Sequence, residues 1–265
     1  MTILEKIIEF KKAEVARNKQ LVSIDELKAQ AFFNRQTLSL KQFLTDETKT
    51  GIIAEFKRKS PSKGIINDQA NVAEVTKAYT DYGASCLSVL TDHEFFAGSS
   101  NDLKLARANH IPILRKDFII DEYQLIESKA MGADVILLIA ACLTPNLVKE
   151  LAFFAKLLGL EVLLEIHEEA ELKHICDDIN FIGVNNRDLK TFTVDINRSL
   201  DLSKKIPADK IKIAESGINQ AATIKIFKEA GFKGFLMGEH FMMTDNPGEA
   251  FRQFTEKIKQ LSYEH

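Results

Sequence analysis

The stretch MGADVILLIA, residues 131–140, shows how this chain is built. Met131 ends a segment with helical character, and Gly132 can adopt the left-handed conformation with which helices commonly end. The residues from Asp134 to Ala140 then form a nearly continuous apolar run. A run of this length without polar alternation is typical of a parallel strand that is buried on both faces. The stretch therefore predicts a helix, a tight turn and a buried parallel strand in succession.

The same unit recurs along the chain, with glycine between helix and strand at Gly83, Gly159 and Gly231. Strand-like runs cover residues 52–56, 86–90, 111–114, 134–140, 161–166, 181–184, 211–214 and 234–237. Helix-like segments follow them at 72–82, 102–109, 121–131, 146–158, 168–177, 196–204, 220–230 and 247–261. Eight βα units predict an α/β protein with a single (β/α)8 TIM barrel. The alternative is a doubly wound open sheet, but no strand is followed by the G-x-G-x-x-G turn of a dinucleotide site.

Helical segments also precede the first strand. Apolar residues share one face of the opening segment, and Ser23 with Glu26 has the spacing of a capping box that starts a second helix. A third amphipathic turn is predicted around residues 39–44. Because no Pro/Gly/Ser-rich linker divides the chain, we predict one domain over residues 1–265, with an N-terminal helical extension over 1–48 and the barrel over 49–265.

Composition excludes several classes of protein. The chain is 45% hydrophobic and 28% charged, which suits a globular protein with a large core. The net charge is −3 and neither half is conspicuously basic, so no nucleic-acid partner is expected. The longest apolar run, residues 135–143, is far shorter than the roughly 20 residues that cross a bilayer, and the charged opening segment is not typical of a signal peptide.

Cysteine and histidine spacing carries less information. Three cysteines without a C-x-x-C pair predict reduced thiols and a cytoplasmic protein. We interpret Cys142, after the fourth strand, as a small buried thiol rather than a nucleophile. The six histidines show no metal-binding spacing, so we expect no metal, and His167 and His174 are predicted to lie on a helix surface.

Polar residues stand where six of the predicted strands end. They include Glu55 and Lys57, Lys116, Glu165, Asn185 and Arg187, Glu215, and Gly238 with Glu239. In a (β/α)8 barrel the active site is built at the carboxyl ends of the strands. One such residue could be an ordinary salt bridge at the rim, but so many ionisable groups at one mouth are costly to desolvate unless catalysis uses them. The pattern predicts an active site, whereas Arg58 and Lys59 are predicted to be solvated.

The last two strand ends predict a phosphate site. Ser216-Gly217 and Gly238-Glu239 can present backbone N–H groups, and residues 239–243 can form a short helix that begins at the mouth. Backbone amides and a helix N-terminus after strands seven and eight are the usual phosphate site of this fold.

At these residues the chain resembles indole-3-glycerol phosphate synthase, a family of tryptophan biosynthesis. The matching stretches are IAEFKRKSPS (53–62), LSVLTD (87–92), FAGS (96–99), LRKDFI (114–119), GAD (132–134), GVNNRDL (183–189) and AESGI (214–218). The resemblance runs through nearly the whole chain, including the extra helices before strand one. It implies conversion of 1-(2-carboxyphenylamino)-1-deoxyribulose 5-phosphate to indole-3-glycerol phosphate, with loss of carbon dioxide and water and without a cofactor.

The resemblance also implies catalytic roles. Lys116 is the general acid of ring closure, because a carbonyl must be protonated as the aromatic carbon attacks it. Lys57 pairs with anionic substrate groups and is a second candidate acid for dehydration; which lysine serves which step stays open. Glu165 is the general base of aromatisation. Glu55 orients the lysines, with a share in dehydration left open.

Further positions correspond to substrate-binding residues of the family. Asn185 and Glu215 are expected to hold hydroxyls and the anthranilate part, Arg187 to bind phosphate or carboxylate, and Ser60 to lie near the anthranilate carboxylate. Ser216, Gly217 and Gly238 are expected to bind the phosphate, and Phe96, Phe118 and Leu137 to form an apolar wall. Many family members carry serine where this chain has Glu239, so we expect Glu239 to offer its amide and to turn its carboxylate away.

Alternative functions would require different residues at the strand ends. A phosphoribosylanthranilate isomerase of the same barrel group needs a cysteine at the first strand end, where this chain has Glu55-x-Lys57. A Schiff-base aldolase would use Lys116 as a covalent amine. A non-catalytic barrel would lack some mouth residues, yet all the expected ones are present. Other tryptophan-pathway enzymes are candidate partners, and residues 57–66 are a candidate lid.

Overall fold

The fold follows from a computed structural model that describes residues 2–187 and 193–263. The helices α1 (Ile3–Leu21), α2 (Ile24–Lys28) and α3 (Leu40–Thr45) precede the barrel. The first barrel unit comprises β1 (Ile52–Phe56), a hairpin of β2 (Lys59–Ser60) and β3 (Gly64–Ile65), and α4 (Val72–Asp81). Residues 188–192, which include the end of the GVNNRDL stretch, lie outside the described residues.

Strands and helices mostly alternate in the remaining units. They are β4 (Cys86–Leu90), α5 (Ser100–Ala106), β5 (Ile113–Lys116), α6 (Glu122–Met131), β6 (Val135–Ile139), α7 (Pro145–Leu157), β7 (Glu161–Ile166), β8 (Phe181–Asn185), α8 (Ile196–Ser203), β9 (Ile211–Glu215), α9 (Ala221–Glu229), β10 (Phe232–Met237), α10 (Glu239–Met242) and α11 (Pro247–Tyr263). Short 3-10 helices, Ala140–Cys142 and Glu169–His174, follow β6 and β7, so that a 3-10 helix joins β7 to β8, and two helices follow β10. Among the described residues, none of the helices combines the length and apolar character needed to cross a membrane.

The predicted (β/α)8 barrel is confirmed. The parallel strands pair in the closed order β1-β10-β9-β8-β7-β6-β5-β4. The strands are buried along their whole length because both of their faces are covered. Alternate residues face the barrel interior, and the others face the surrounding helices. On β1, Ile53 belongs to the interior cluster, which also contains Leu40 and Leu44 of α3, whereas Ile52 and Ala54 pack toward the helices. Helix α3 therefore contributes to the apolar filling of the barrel interior.

Several element boundaries differ from the sequence prediction by a few residues, and two of the differences have a clear physical reason. The third strand begins at Ile113 rather than Ile111, because Pro112 has no N–H to donate to a strand ladder. The segment predicted as a helix over 168–177 is a 3-10 helix, Glu169–His174, whose tight turn lets the Glu171 carboxylate accept from the amides of His167 and Glu168. The capping boxes at Thr2 and Ser23 start α1 and α2, the second of them as predicted.

Helix α1 is attached to the barrel through a buried ion cluster. Lys11 is 0% exposed, and its Nζ lies 3.0 Å from Asp92 Oδ2, 2.9 Å from Asp117 Oδ1 and 3.1 Å from Glu14 Oε1. Asp92 and Asp117 follow β4 and β5 at the carboxyl ends of the strands. Burial raises the pKa of Asp117, but Arg115 and Lys11 outweigh it and hold this pKa at about 2. The cluster therefore connects the N-terminal helix to the residue that follows Lys116.

Replacing Lys11 by methionine is expected to lower the free energy of unfolding by about 3 kcal/mol or more, because removal of one partner leaves buried carboxylates without their cation. Urea unfolding at neutral pH measures this loss. Lys12 is exposed on the same helix, so Lys12→Met serves as the matched control. A loss below about 1 kcal/mol for Lys11→Met would mean that the cluster contributes little to stability.

Candidate active site

A cavity of about 360 Å³ opens at the carboxyl ends of the barrel strands. Of the predicted site residues, those that line it are Glu55, Lys57, Ser60, Phe96, Lys116, Phe118, Glu165, Asn185, Arg187, Glu215, Ser216, Gly217, Gly238 and Glu239. They meet because parallel strands end at one rim and because the strand registers align them. Asn185 pairs with Glu215, for example, and Leu90 with Lys116.

Leu137 is the exception, and its assignment to the cavity wall is corrected. It is 1% exposed and belongs to the barrel interior, where it pairs with Leu163 on β7. Ile139, two residues further along β6, pairs with Glu165 and lines the cavity. Leu137 therefore lies one layer below the site, and Ile139 supplies the apolar contact on this strand.

The lysines and carboxylates form two ion pairs on the cavity wall. Lys57 Nζ lies 2.8 Å from Glu55 Oε1, and Glu55 Oε2 accepts a hydrogen bond of 3.3 Å from Ser88. Lys116 Nζ lies 3.7 Å from Glu165 Oε2. The Lys57 and Lys116 side chains keep 15% and 19% exposure, whereas Glu55 and Glu165 are almost fully buried. The amines thus face the open part of the cavity, where a substrate would meet them.

Mutual charges set the protonation of this cluster. Burial lowers the pKa of Lys116, but the charges of Glu165 and Glu55 outweigh burial and raise it above the ordinary lysine value. Burial likewise raises the pKa of Glu165, yet the charge of Lys116 and contacts with His167 and Asn185 hold it below its usual range. At neutral pH, Lys116 is therefore an ammonium that can donate a proton and Glu165 a carboxylate that can accept one.

Glu215, unlike Glu165, is protonated at neutral pH. Burial and the nearby Glu165 carboxylate raise its pKa well above the ordinary value, and Lys116 only partly offsets them. The side chain fits because Gly183 on β8 has no Cβ, which would lie 2.0 Å from Glu215 Oε1. Oε1 has no hydrogen-bond partner among the described residues. A protonated carboxyl group at this position can donate a hydrogen bond to a ligand oxygen.

The turns after β9 and β10 also line the cavity. Ser216 and Gly217 both have positive φ, at 67° and 70°, and consecutive residues of this kind can present backbone N–H groups to an anion. Gly238 caps α10, which begins at Glu239. A Cβ on Gly238 would lie 2.7 Å from that of Glu55, so glycine lets the two strand ends approach.

Glu239 does not turn its carboxylate away from the cavity. Its Oε2 lies 3.4 Å from Arg187 Nη2, and its Oε1 lies 3.9 Å from Lys63 Nζ. The carboxylate therefore compensates the cation that we expected to bind phosphate or carboxylate. The prediction that this side chain points elsewhere is wrong because Arg187 attracts it.

Aromatic and apolar residues complete the wall. The rings of Phe96 and Phe118 lie 6.0 Å apart, and their planes are inclined by 39°. Apolar residues that the sequence did not single out also line the cavity: Ile3, Leu4 and Ile7 of α1, Ile139, Ile218, Leu236 and Met243. Helix α1 thus covers part of the cavity as well as attaching to the rim through Lys11.

Sequence reasoning misplaced several side chains near the site. His167 and His174 are buried, at 8% and 5% exposure, and do not lie on a helix surface. Arg58 is not a solvated residue either, since it donates to both carboxylate oxygens of Asp102 at 2.6 and 3.0 Å. Lys59 donates to the carbonyl of Glu94 and is half-buried.

Burial raises the pKa of Cys142 to about 12, which agrees with an unreactive thiol.

The fold and the cavity define a (β/α)8-barrel enzyme with the Lys116–Glu165 ion pair in a cavity at the carboxyl ends of its strands. A model of the indole-3-glycerol phosphate synthase family matches residues 4–254. The proteins of that name from Bacteroides thetaiotaomicron and Acidovorax sp. are 47% and 42% identical to this chain, covering 97% and 95% of it and 99% and 98% of their own lengths. The chain belongs to the indole-3-glycerol phosphate synthase family, and the predicted resemblance is confirmed.

Solved structures with lower similarity support the fold alone. The chain superposes on 3-hexulose-6-phosphate synthase from Salmonella typhimurium with a TM-score of 0.62 at 14% identity, covering 79% of this chain and 98% of that one. For the tryptophan synthase alpha subunit from Legionella pneumophila the TM-score is 0.61 at 12% identity, with 85% and 97% covered.

Proposed function

We propose that this chain forms indole-3-glycerol phosphate from 1-(2-carboxyphenylamino)-1-deoxyribulose 5-phosphate, with Lys116 as the acid of ring closure and Glu165 as the base of aromatisation. One observation carries the proposal: the ammonium of Lys116 and the carboxylate of Glu165 lie 3.7 Å apart on a cavity that also contains the Ser216-Gly217 turn and Gly238. The acid, the base and the phosphate site thus share one space of substrate size.

The chemistry uses these groups in sequence. Lys116 protonates the ribulose carbonyl while the ring carbon that bears the carboxylate attacks the carbonyl carbon. The bond to the carboxylate then breaks, its electrons return to the ring, and carbon dioxide leaves. Finally an acid protonates the hydroxyl, which leaves as water, and Glu165 removes the ring proton that restores aromaticity. Two protons are donated and one is recovered, so each turnover takes one proton from solvent, equal to the negative charge lost with the carboxylate.

The other cavity residues fit the remaining groups of the substrate. Lys57 stands beside Glu55 on β1, where it can bind the substrate carboxylate and supply the proton of dehydration. Neutral Glu215 and the amide of Asn185 can hold the hydroxyls. The Phe96 and Phe118 rings can contact the anthranilate ring, and an apolar wall there disfavours a carboxylate relative to uncharged carbon dioxide.

The proposal has a direct assay. Addition of the carboxyphenylamino ribulose phosphate to the purified protein is expected to produce the fluorescence of the indole product. A non-catalytic barrel would bind the compound without this change. A Schiff-base aldolase would form a stable lysine adduct when borohydride is added with a sugar phosphate, and such an adduct at Lys116 would count against its role as a general acid.

Glu239 offers a test of the phosphate site. We expect Glu239→Ser to lower the KM for the substrate about fivefold, which corresponds to about 1 kcal/mol, because Arg187 becomes available to the substrate anion and a repelling carboxylate is removed. Steady-state kinetics with Asp245→Ser, an exposed position nearby, gives the matched control. An unchanged or higher KM for Glu239→Ser would argue against phosphate at this end of the cavity.

The domain organisation and the cellular location of the protein are part of the same proposal. The family match over residues 4–254 and the Lys11 cluster support one domain in which the N-terminal helical extension, residues 1–48, is attached to the barrel of residues 49–265. The three cysteines are free, which suits a cytoplasmic enzyme. Enzymes that supply its substrate or consume indole-3-glycerol phosphate are the candidate partners.

A further inference from the structure

His167 occupies a buried position directly behind the catalytic carboxylate. It follows β7 and is 8% exposed. Its Nε2 lies 3.2 Å from Glu165 Oε1, and its Nδ1 lies 3.7 Å from Glu171 Oε2. The ring therefore stands between two carboxylates. It is absent from the residues that line the cavity among those the structure describes, and its contact on the cavity side is with Glu165.

The two oxygens of Glu165 have different surroundings. Oε1 accepts a hydrogen bond of 3.0 Å from Asn185 Nδ2 and is also the oxygen next to His167. Oε2 has no hydrogen-bond partner in the described part of the chain and lies 3.7 Å from Lys116 Nζ. Oε1 is thus bonded by Asn185 and in charge contact with the imidazole, whereas Oε2 is left for the proton transfer.

The far side of the imidazole is fixed by the backbone. Glu171 Oε2 accepts from the amide of His167 at 2.6 Å and from that of Glu168 at 3.4 Å. His174 contributes to the same turn, because its Nδ1 and Nε2 lie 2.9 and 3.0 Å from the carbonyls of Glu171 and Leu143. The 3-10 helix after β7 thereby supports Glu171, which in turn faces the imidazole.

We propose that His167 is the positioning residue of the catalytic base, which holds Oε1 of Glu165 so that Oε2 faces the substrate. The proposal rests on the function assigned to Glu165 above and adds a residue to it.

Charge strengthens this arrangement. The ionisable groups around the imidazole are Glu165 on β7, Glu171 and His174 on the 3-10 helix, Lys116 on β5, Glu215 on β9 and Cys142 after β6. Burial lowers the pKa of His167, but Glu165 and Glu171 outweigh burial and raise it to about 10. At neutral pH the ring is therefore an imidazolium, and its charge helps to keep Glu165 ionised.

Two variants separate the positioning of Glu165 from the effect of the imidazolium charge. His167→Leu removes both the N–H donor and the charge, whereas His167→Gln keeps an N–H donor and removes only the charge. We expect kcat to fall about 10- to 100-fold in His167→Leu and less in His167→Gln, as for other residues that orient a catalytic group. KM should change less than about threefold, because His167 does not line the cavity.

The pH profile is the readout that a purely structural role would not move. Loss of the imidazolium raises the pKa of Glu165, and loss of a neighbouring charge typically shifts a carboxyl by about one to three units. The acid limb of kcat therefore moves to higher pH in both variants, by about one unit or more. Exposed His110 supplies the control, since His110→Gln should match the wild-type profile.

The proposal is overturned if His167→Leu keeps its kcat within about twofold of wild type, or if both variants lose activity without any shift of the acid limb. Glu165→Gln is measured alongside to separate the two assignments. If Glu165→Gln turns over normally, the function of Glu165 itself is wrong. If Glu165→Gln is inactive while His167→Leu behaves as wild type, only the function of His167 is wrong.

Discussion

Replacing Lys116 by methionine is expected to lower kcat by about a thousandfold or more, within the range of a lost general acid. The reason is geometric as well as chemical: the ammonium faces the cavity at 19% exposure, and the carboxylates of Glu165 and Glu55 keep it protonated. Without it, the carbonyl oxygen has no donor at this position when the ring closes. Methionine preserves much of the side-chain volume, so the loss is chemical rather than a packing defect.

Binding and turnover must be measured separately for this variant. We expect calorimetric titration to give a substrate Kd within about tenfold of wild type, because the proposed phosphate site at Ser216, Gly217 and Gly238 is untouched. Exposed Lys104 on α5 provides the control substitution Lys104→Met, which should leave both quantities unchanged. Turnover of Lys116→Met within tenfold of wild type, or lost binding with normal turnover of bound substrate, would contradict the function of this residue.

Replacing Glu165 by glutamine is expected to lower kcat by a similar factor, about a thousandfold. The amide is nearly isosteric with the carboxylate and cannot take the ring proton. The change also removes the negative charge nearest to Lys116, so the pKa of Lys116 falls toward its ordinary value. The comparison is Glu169→Gln, an exposed position on the following 3-10 helix. Substantial turnover of Glu165→Gln would show that another group removes the proton.

Much of the fold could be predicted because the signals were local and repeated. An apolar run preceded by a helix and a glycine, as at Gly132, Gly159 and Gly231, describes a βα unit without knowledge of its neighbours. The cavity could be predicted almost as well, because the topology of a parallel barrel brings all strand ends to one rim. Charged residues at these ends, such as Glu55, Lys116 and Glu165, then have a common location.

The side chains whose positions were predicted wrongly or not at all are those that depend on depth within the barrel or on partners far away in the sequence. Leu137 and Ile139 both face the barrel interior by the period of a strand, and only the pairing of Ile139 with Glu165 shows which of them reaches the cavity. The same period, continued from Leu163 through Glu165, would have predicted that His167 lies on the same side of the chain as Glu165 and not on a helix surface. Lys11 could not be predicted, because a lysine on the buried face of α1 makes sense only when Asp92 and Asp117 are known to meet it.

The central claim is a division of labour in which Lys116 acts before carbon dioxide leaves and Glu165 acts after it. A single-turnover experiment with excess Glu165→Gln enzyme and substrate labelled in its carboxyl group tests this order most directly. We predict that labelled carbon dioxide is released at close to one equivalent while indole fluorescence stays absent, and that Lys116→Met yields neither. Blocked release of carbon dioxide in Glu165→Gln, or indole formed together with it at the wild-type rate, would contradict the account.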